Sequence, residues 1–138
     1  MNIKFVGAML LSVMVLAGCR AATVVQIENE TYAVPASASA SGLTLNDYKV
    51  AIIRAGVQRG WQFEEQGPGE MIGTINVRGK HTAKVRVLYD TSAFSIIYLD
   101  STDLNYDAEV NEIHPNYNSW VQNLRQDIQA QVSLAKLG

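Results

Sequence analysis

The predicted fold depends on residues 61–99, which read WQFEEQGPGEMIGTINVRGKHTAKVRVLYDTSAFSIIYL. Apolar side chains recur at every second position through most of this stretch, which is the period of a β-strand with one buried face. Three short turns interrupt the pattern, at Gly67-Pro68-Gly69, at Gly79-Lys80-His81 and at residues 90–93. The stretch therefore predicts four antiparallel strands joined by hairpins.

The register of these hairpins can be checked, because directly opposed residues face the same side of a sheet. The loop lengths predict three opposed pairs: Gln66 with Glu70, Arg78 with Thr82, and Tyr89 with Phe94. All three pairs lead to one apolar face, whose members are Trp61, Phe63, Met71, Ile75, Val77, Val85, Val87, Tyr89, Phe94, Ile96 and Tyr98. We expect this face to be the core side of the sheet.

Helical periodicity flanks the strands on both sides. Thr44 suits the N-cap of a first helix at roughly 45–59, with Asp47 three residues later. Pro115 suits the first turn of a second helix at roughly 115–136, where apolar residues recur at three- and four-residue steps. The sequence thus predicts an α+β fold of two layers, a four-stranded antiparallel meander flanked by two helices in the order α-β-β-β-β-α.

The N-terminal residues have the composition of an export signal. Residues 1–18 carry one charged residue, Lys4, and an apolar run that is too short to span a bilayer, which needs about 20 residues. The next segment, Leu16-Ala17-Gly18-Cys19, is similar to a bacterial lipobox, in which the cysteine thiol accepts diacylglycerol. We therefore predict a lipoprotein signal peptide at 1–18 and lipidation of Cys19, with two or three acyl chains as a permanent membrane anchor.

The rest of the chain is predicted to be a tether and a single domain. Residues 19–42 end in an alternating Ala-Ser run, which favours a lipidated flexible tether, although residues 23–27 allow a short strand. Residues 43–138 form the predicted α+β domain. Beyond residue 18 the chain has 10 basic and 13 acidic side chains, a formal charge of −3, which gives no electrostatic case for nucleic acid. Because Cys19 is the only cysteine, its lipidation excludes cysteine catalysis and thiolate metal binding.

Several short motifs together resemble a family of small proteobacterial outer-membrane lipoproteins of uncharacterised function. They are Arg59-Gly60-Trp61, Val77-Arg78 with His81-x-Ala83-x-Val85, Ile97-Tyr98 with Ser101 and Leu104-x-Tyr106, and Ile113-His114-Pro115-Asn116-Tyr117-Asn118-x-Trp120. The resemblance implies a fold and a lipid anchor, and it carries over no catalytic residue. Arg20 follows the predicted lipidated cysteine, where an aspartate typically signals retention in the inner membrane. We expect a location in the outer membrane, facing the periplasm.

Two groups of side chains invite a metal-site interpretation. The connection between the last strand and the second helix carries five carboxylates: Asp100, Asp103, Asp107, Glu109 and Glu112. Their spacing is not that of an EF-hand, so a solvated acidic loop is the favoured interpretation and a calcium site the alternative. His81 and His114 lie on separate elements, and we expect His114 to cap the second helix rather than to bind zinc. We predict no metal site, no cofactor and no catalytic residue.

The other face of the predicted sheet is unusually apolar for a solvated surface. The same register places aliphatic and basic side chains there, and these form the predicted partner surface: Ile72, Lys84, Arg86, Leu88, Ile97 and Leu99. The alternatives are that residues 23–27 cover this face or that one helix packs on it.

The leading functional expectation is a non-enzymatic, membrane-anchored periplasmic lipoprotein that acts as a protein-interaction or assembly module of the cell envelope, through another protein or self-association. A binding module for an envelope glycan, lipid or peptide is the alternative, using the strand face or the aromatic start of the second helix. A small envelope hydrolase is the third class, and the sequence has no Gly-x-Ser-x-Gly turn to support it.

Overall fold

The computed structural model describes residues 21–38 and 42–138. In chain order its elements are β1 Ala22–Thr23, β2 Ile27–Thr31, α1 Leu45–Val57, β3 Trp61–Gly67, β4 Glu70–Val77, β5 His81–Tyr89, β6 Ala93–Thr102, β7 Glu112–Ile113 and α2 Pro115–Leu137. Strands β2 to β6 form an antiparallel sheet in the order β2-β6-β5-β4-β3, and β1 pairs with β7 in a separate ladder. The predicted α+β class is confirmed, and the four predicted strands are β3 to β6.

Both helices begin where the sequence predicts. The Thr44 hydroxyl accepts a hydrogen bond from the Asp47 backbone N–H at 3.2 Å, and the Asp47 carboxylate accepts from the Thr44 N–H at 2.8 Å. This reciprocal capping box satisfies two N–H groups that a helix start would otherwise leave unpaired. At the start of α2, His114 Nδ1 accepts from the Asn116 N–H at 3.1 Å, which confirms the expected capping role. Helix α1 ends at Val57, slightly earlier than predicted.

The core lies between the predicted apolar face of the sheet and the two helices, which also pack against each other. Helix α2 contributes a fully buried stripe of Tyr117, Val121, Leu124, Ile128 and Val132. Two glycines make room for the Phe63 ring of β3: a Cβ added at Gly56 would overlap this ring, and one at Gly73 would lie 3.0 Å from it. The sheet's other face carries no helix among the described residues.

The predicted registers hold along two hairpins, except that a bulge pairs Gly67 and not Gln66 with Glu70, and the register differs in the third hairpin. The pairs Phe63 with Gly73 and Val87 with Ile96 are as predicted. Between β4 and β5 the prediction was wrong by two residues, since Val77 lies opposite His81 and not opposite Ala83. The reason is the turn: Arg78 and Gly79 both have positive φ, and the Lys80 N–H donates to the Val77 carbonyl, so the strands close earlier.

The structure also corrects the predicted tether. Part of the segment 19–42 is a fifth strand of the sheet, because β2 pairs with β6 and places Ile27 opposite Ile96. Val24 and Tyr32 are buried in the same core as α1 and α2. The flexible tether therefore does not extend over residues 22–32, and the folded unit begins well before residue 43.

Polar side chains along one side of α2 hold this N-terminal segment in place. The Asn118 amide bonds the backbone at Thr23 and Val25, and Arg125 forms an ion pair with Glu30. Gln129 donates from Nε2 to the Glu30 carboxylate and to the Thr31 carbonyl, each at 2.9 Å. Positions 118, 125 and 129 lie at helical spacing, so a single face of α2 reaches the whole segment.

Candidate functional site

The structure places most of the predicted partner surface on the face of the sheet opposite the core, the outer sheet face. Ile72 and Ile97 are half-buried, Lys84 and Arg86 are exposed, and the side chain of Leu88 is 39% exposed. These five residues lie on β4, β5 and β6, which are the three middle strands. The predicted clustering of aliphatic and basic side chains on one face is therefore present in the fold.

Leu99 stands apart from the other five. A β-bulge falls where Lys84 pairs with Asp100 and Val85 pairs with Tyr98, so Leu99 has no residue directly opposite. Its side chain is 38% exposed. The sequence prediction put Leu99 in a regular row beside Lys84, which the bulge does not allow.

The corrected register also changes which residues are neighbours on this face. Arg86 lies opposite Ile72 on one side and Ile97 on the other, at the centre of the surface. Leu88 lies opposite Glu70 and Ser95, where the prediction had placed Ile72 beside it. The three aliphatic residues therefore surround Arg86 and do not form a continuous apolar strip.

Carboxylates lie beside the two cations of this surface. The Arg86 guanidinium forms a salt bridge with Glu70 at 3.3 Å. Lys84 lies opposite Asp100, and Glu64 lies opposite Ile72. The outer sheet face is thus a mixed surface, with aliphatic side chains set among charges of both signs. The two-residue shift of the β4–β5 register brings Glu70 here, and sequence alternation alone does not detect that shift.

The N-terminal segment does not cover the outer sheet face, which was one sequence-based alternative. Strand β2 lies at the sheet edge beside β6, and Ile27 opposes the core residue Ile96. Ser95 is the main outer-face residue that this segment approaches, since its hydroxyl accepts a hydrogen bond from the Asn29 N–H at 2.9 Å. Within residues 21–38 and 42–138, the aliphatic centre of the face is left to solvent.

The acidic connection between β6 and α2 is organised by its own backbone. Asp107 and Glu112 exchange two backbone hydrogen bonds at 2.9 and 3.1 Å, and the Asp107 carboxylate accepts from the Glu109 N–H at 3.0 Å. Buried Leu104 fixes the connection to the core, and its carbonyl accepts from the His114 N–H at 2.8 Å. In the described part of the chain, no three His, Cys, Asp or Glu side chains come together as a metal site.

The two histidines serve separate local contacts. His114 caps α2, as described above. His81 Nδ1 lies 2.8 Å from the Asp103 carbonyl oxygen. Since a carbonyl only accepts, Nδ1 is the donor in this contact, and Nε2 has no hydrogen-bond partner among the described residues.

A second concave feature lies at the start of α2, which the sequence analysis offered as one surface for the alternative function of ligand binding. Tyr117 is fully buried and belongs to the core. Trp120 is only partly buried and forms the wall between two adjoining cavities of about 160 and 260 Å³. Of the two aromatic side chains, only Trp120 is therefore placed to contact a ligand.

The predicted lipidation residue Cys19 and the signal peptide at 1–18 lie outside the described residues. Neither helix in the described part of the chain combines the length and the apolar character needed to cross a membrane. Comparison with protein-family models, with curated proteins and with solved structures gives no match for this chain.

Proposed function

We propose that this protein is a non-enzymatic, lipid-anchored interaction module of the cell envelope. In this proposal Cys19 carries the acyl anchor at the outer membrane, and the partner surface contacts another envelope protein. The observation that carries the proposal is the outer sheet face, where Ile72, Leu88 and Ile97 surround Arg86 with no covering element among the described residues. Antiparallel sheets commonly leave one face to solvent, but such faces are usually more uniformly polar.

The size of this surface favours a transient contact. Strands lie about 4.8 Å apart, and alternate residues about 7 Å apart along a strand, so three strands and three rows span roughly 300 Å². A stable complex buries about 800 Å² on each partner. A copy of this chain that docked through the same face alone would fall well short of that value, which favours a partner that also contacts surrounding surface.

Membrane anchoring compensates for a weak contact. Two proteins held at one membrane meet at a high effective concentration, so a modest affinity suffices for association. The balanced charges of the outer sheet face add a further expectation. Because Lys84 and Arg86 have carboxylate neighbours, binding depends on apolar contact more than on net charge and is only weakly sensitive to salt.

The proposal is tested by site-specific photo-crosslinking in the native envelope, with the crosslinker at Leu88. Gln126 is the matched control, since it is exposed on α2 on the opposite side of the molecule. We expect a discrete product of constant mass from position 88, no such product from position 126, and loss of the product on Ile97→Glu substitution. The Ile97→Glu variant must retain the melting temperature of the parent within a few degrees.

Three results would contradict the proposal. Identical products from both positions would show that contact is not specific to the sheet face. A product of twice the chain's own mass would show that the partner is a second copy of this chain and not another envelope protein. Retention of the Cys19→Ser variant in the membrane fraction, together with undiminished palmitate labelling, would show that the anchor is not at Cys19.

A further inference from the structure

The groove beside Trp120 has the features of a ligand site that is separate from the partner surface. It lies between the β4–β5 turn, the start of β3 and the first three turns of α2, and its two cavities share Val77 and Trp120 as walls. Each cavity alone is smaller than a typical small-molecule pocket, but together they exceed the lower limit of about 300 Å³. The shared wall of Val77 and Trp120 is apolar, and polar side chains line the rest of both cavities.

One end of the groove carries a cation without a partner. Arg78 lies in the β4–β5 turn, is exposed, and forms no ion pair with any described residue. Arg59, at the other cavity, is already engaged, since its guanidinium lies 2.7 Å from the Asp127 carboxylate. Arg78 is therefore the group that is available to an anionic ligand.

The remaining polar groups suit a ligand with hydrogen-bonding atoms next to its anionic end. His81 lines the same cavity as Arg78 and keeps Nε2 free, and the Asn116 side chain lies beside them. The second cavity is lined by Asn123 and by Trp61. Amide side chains both donate and accept, so they match carbonyl and N–H groups alike.

An unpaired donor lies at the inner end of the groove. Trp61 is 2% exposed, and its indole N–H has no acceptor among the described residues. Buried donors are nearly always paired, because leaving one unpaired costs about 1–3 kcal/mol. Because the indole nitrogen is itself buried, a ligand oxygen can accept from it only if neighbouring side chains move aside.

We propose that this groove binds a small organic carboxylate with an apolar body. The carboxylate pairs with Arg78, the apolar body packs on Trp120 and Val77, and the amide side chains contact polar groups along its length. A short peptide with a free C-terminus and a medium-chain fatty acid share this chemistry. The inference does not depend on the proposed contact through the outer sheet face.

Tryptophan fluorescence gives a direct test, because the chain has two tryptophans and both line the groove. The full-length chain in detergent is titrated with acetyl-Leu-Ala, with hexanoate, and with the amide of each. We expect a saturable emission shift with at least one acid and at least tenfold weaker binding of its amide. Which acid binds identifies the source of the carboxylate.

Two variants separate ligand binding from folding. Arg78→Asn removes the charge and keeps the turn, since asparagine tolerates the left-handed backbone that Arg78 adopts at φ 58°. Lys80→Asn is the control, because Lys80 is an exposed cation of the same turn that does not line the groove. We expect at least a tenfold loss of affinity in the first variant and none in the second.

The proposal is overturned if neither acid gives a saturable shift up to about 10 mM, an affinity too weak for a specific site. It is also overturned if acid and amide bind equally, or if Arg78→Asn binds as well as the parent chain. A melting temperature close to that of the parent shows that any loss of affinity is not a loss of fold.

Discussion

The side chain of Asn118 binds the backbone of Val25 as a neighbouring strand would. Its Oδ1 accepts from the Val25 N–H at 2.9 Å, and its Nδ2 donates to the Thr23 carbonyl at 2.8 Å. Asn118 lies more than 90 positions from both of these residues in the sequence. One amide on α2 thus takes the place of a ladder partner for the segment between β1 and β2.

Replacing Asn118 by alanine is expected to destabilise the protein by about 1–2 kcal/mol, because two hydrogen bonds are lost and the Val25 N–H is left unpaired. Asn118→Asp keeps the acceptor for Val25 but places a carboxylate oxygen against the Thr23 carbonyl oxygen, so it should also destabilise the protein. Urea unfolding measures both, and amide hydrogen exchange at Val25 should accelerate only in the alanine variant. Gln126→Ala, at an exposed position of the same helix, is the control. Equal stability of Asn118→Ala and this control would contradict the assigned role.

Removal of residues 1–42 is expected to prevent stable folding, whereas removal of residues 1–20 is not. The longer deletion takes away Val24, Ile27 and Tyr32, which are buried in the core. At about 1.5–3 kcal/mol for each large buried side chain, the loss is comparable to the whole stability of a small domain. It also uncovers the edge of β6, which favours aggregation. Circular dichroism and gel filtration of the two chains test this, and a cooperatively melting monomer from residues 43–138 would contradict it.

The contrast between β2 and the hairpins shows which contacts the sequence predicts. The turns at 67–69, 79–81 and 90–93 join strands that are neighbours in sequence, so alternation and loop length suffice to identify the partner strands, although the β4–β5 register differs by two residues from the prediction. The partners of β2 are β6 and polar side chains near the far end of the chain, such as Gln129. No local period marks such a partner. The Ala-Ser run at 36–41 favoured a flexible tether for this segment, and the short strand allowed at residues 23–27 had no predicted partner.

The candidate sites were predictable to different extents for the same reason. The face on which Arg86 and Leu88 lie follows from alternation, which a two-residue register shift leaves unchanged. Their immediate neighbours depend on the backbone of the turn at Arg78 and on the bulge at Leu99, which alternation does not show. The groove depends on bringing Trp61, Arg78 and Trp120 together from three elements, so only the folded chain reveals it.

Gly56→Ala is expected to cost about 1–3 kcal/mol, because the added Cβ would overlap the Phe63 ring and overpacked cores lose stability of this size. Helix propensity alone would favour alanine over glycine, so the sign of the effect distinguishes packing from propensity. Gly67→Ala is the control, since a Cβ there meets nothing within 4 Å. Thermal unfolding measures both variants. Combining Gly56→Ala with Phe63→Leu should recover part of the loss, and a stabilised Gly56→Ala variant would show that Phe63 does not occupy this space.

Tyr117→Phe is expected to leave stability unchanged or to raise it by about 1 kcal/mol at neutral pH, because the Tyr117 hydroxyl is buried without a partner among the described residues. Tyr32→Phe is the matched control: the Tyr32 hydroxyl donates to the Asp90 carbonyl at 3.0 Å, so its removal should lower stability. Urea unfolding at pH 7 separates the two tyrosines.

The pH dependence of unfolding is a second, independent test of the burial of the Tyr117 hydroxyl. Burial raises the pKa of Tyr117 above the ordinary value of 10.0, so the folded chain holds this proton more tightly than the unfolded chain does. The contribution of this hydroxyl to the free energy of unfolding is therefore fully present below pH 10. It falls as the pH rises above 10, because the unfolded chain then loses the proton before the folded chain does. Tyr117→Phe has no proton to lose at this position, so its stability should decline less between pH 9 and about pH 11. An identical alkaline decline in parent and variant would show that the Tyr117 hydroxyl is not held in the protonated form by its burial in the core.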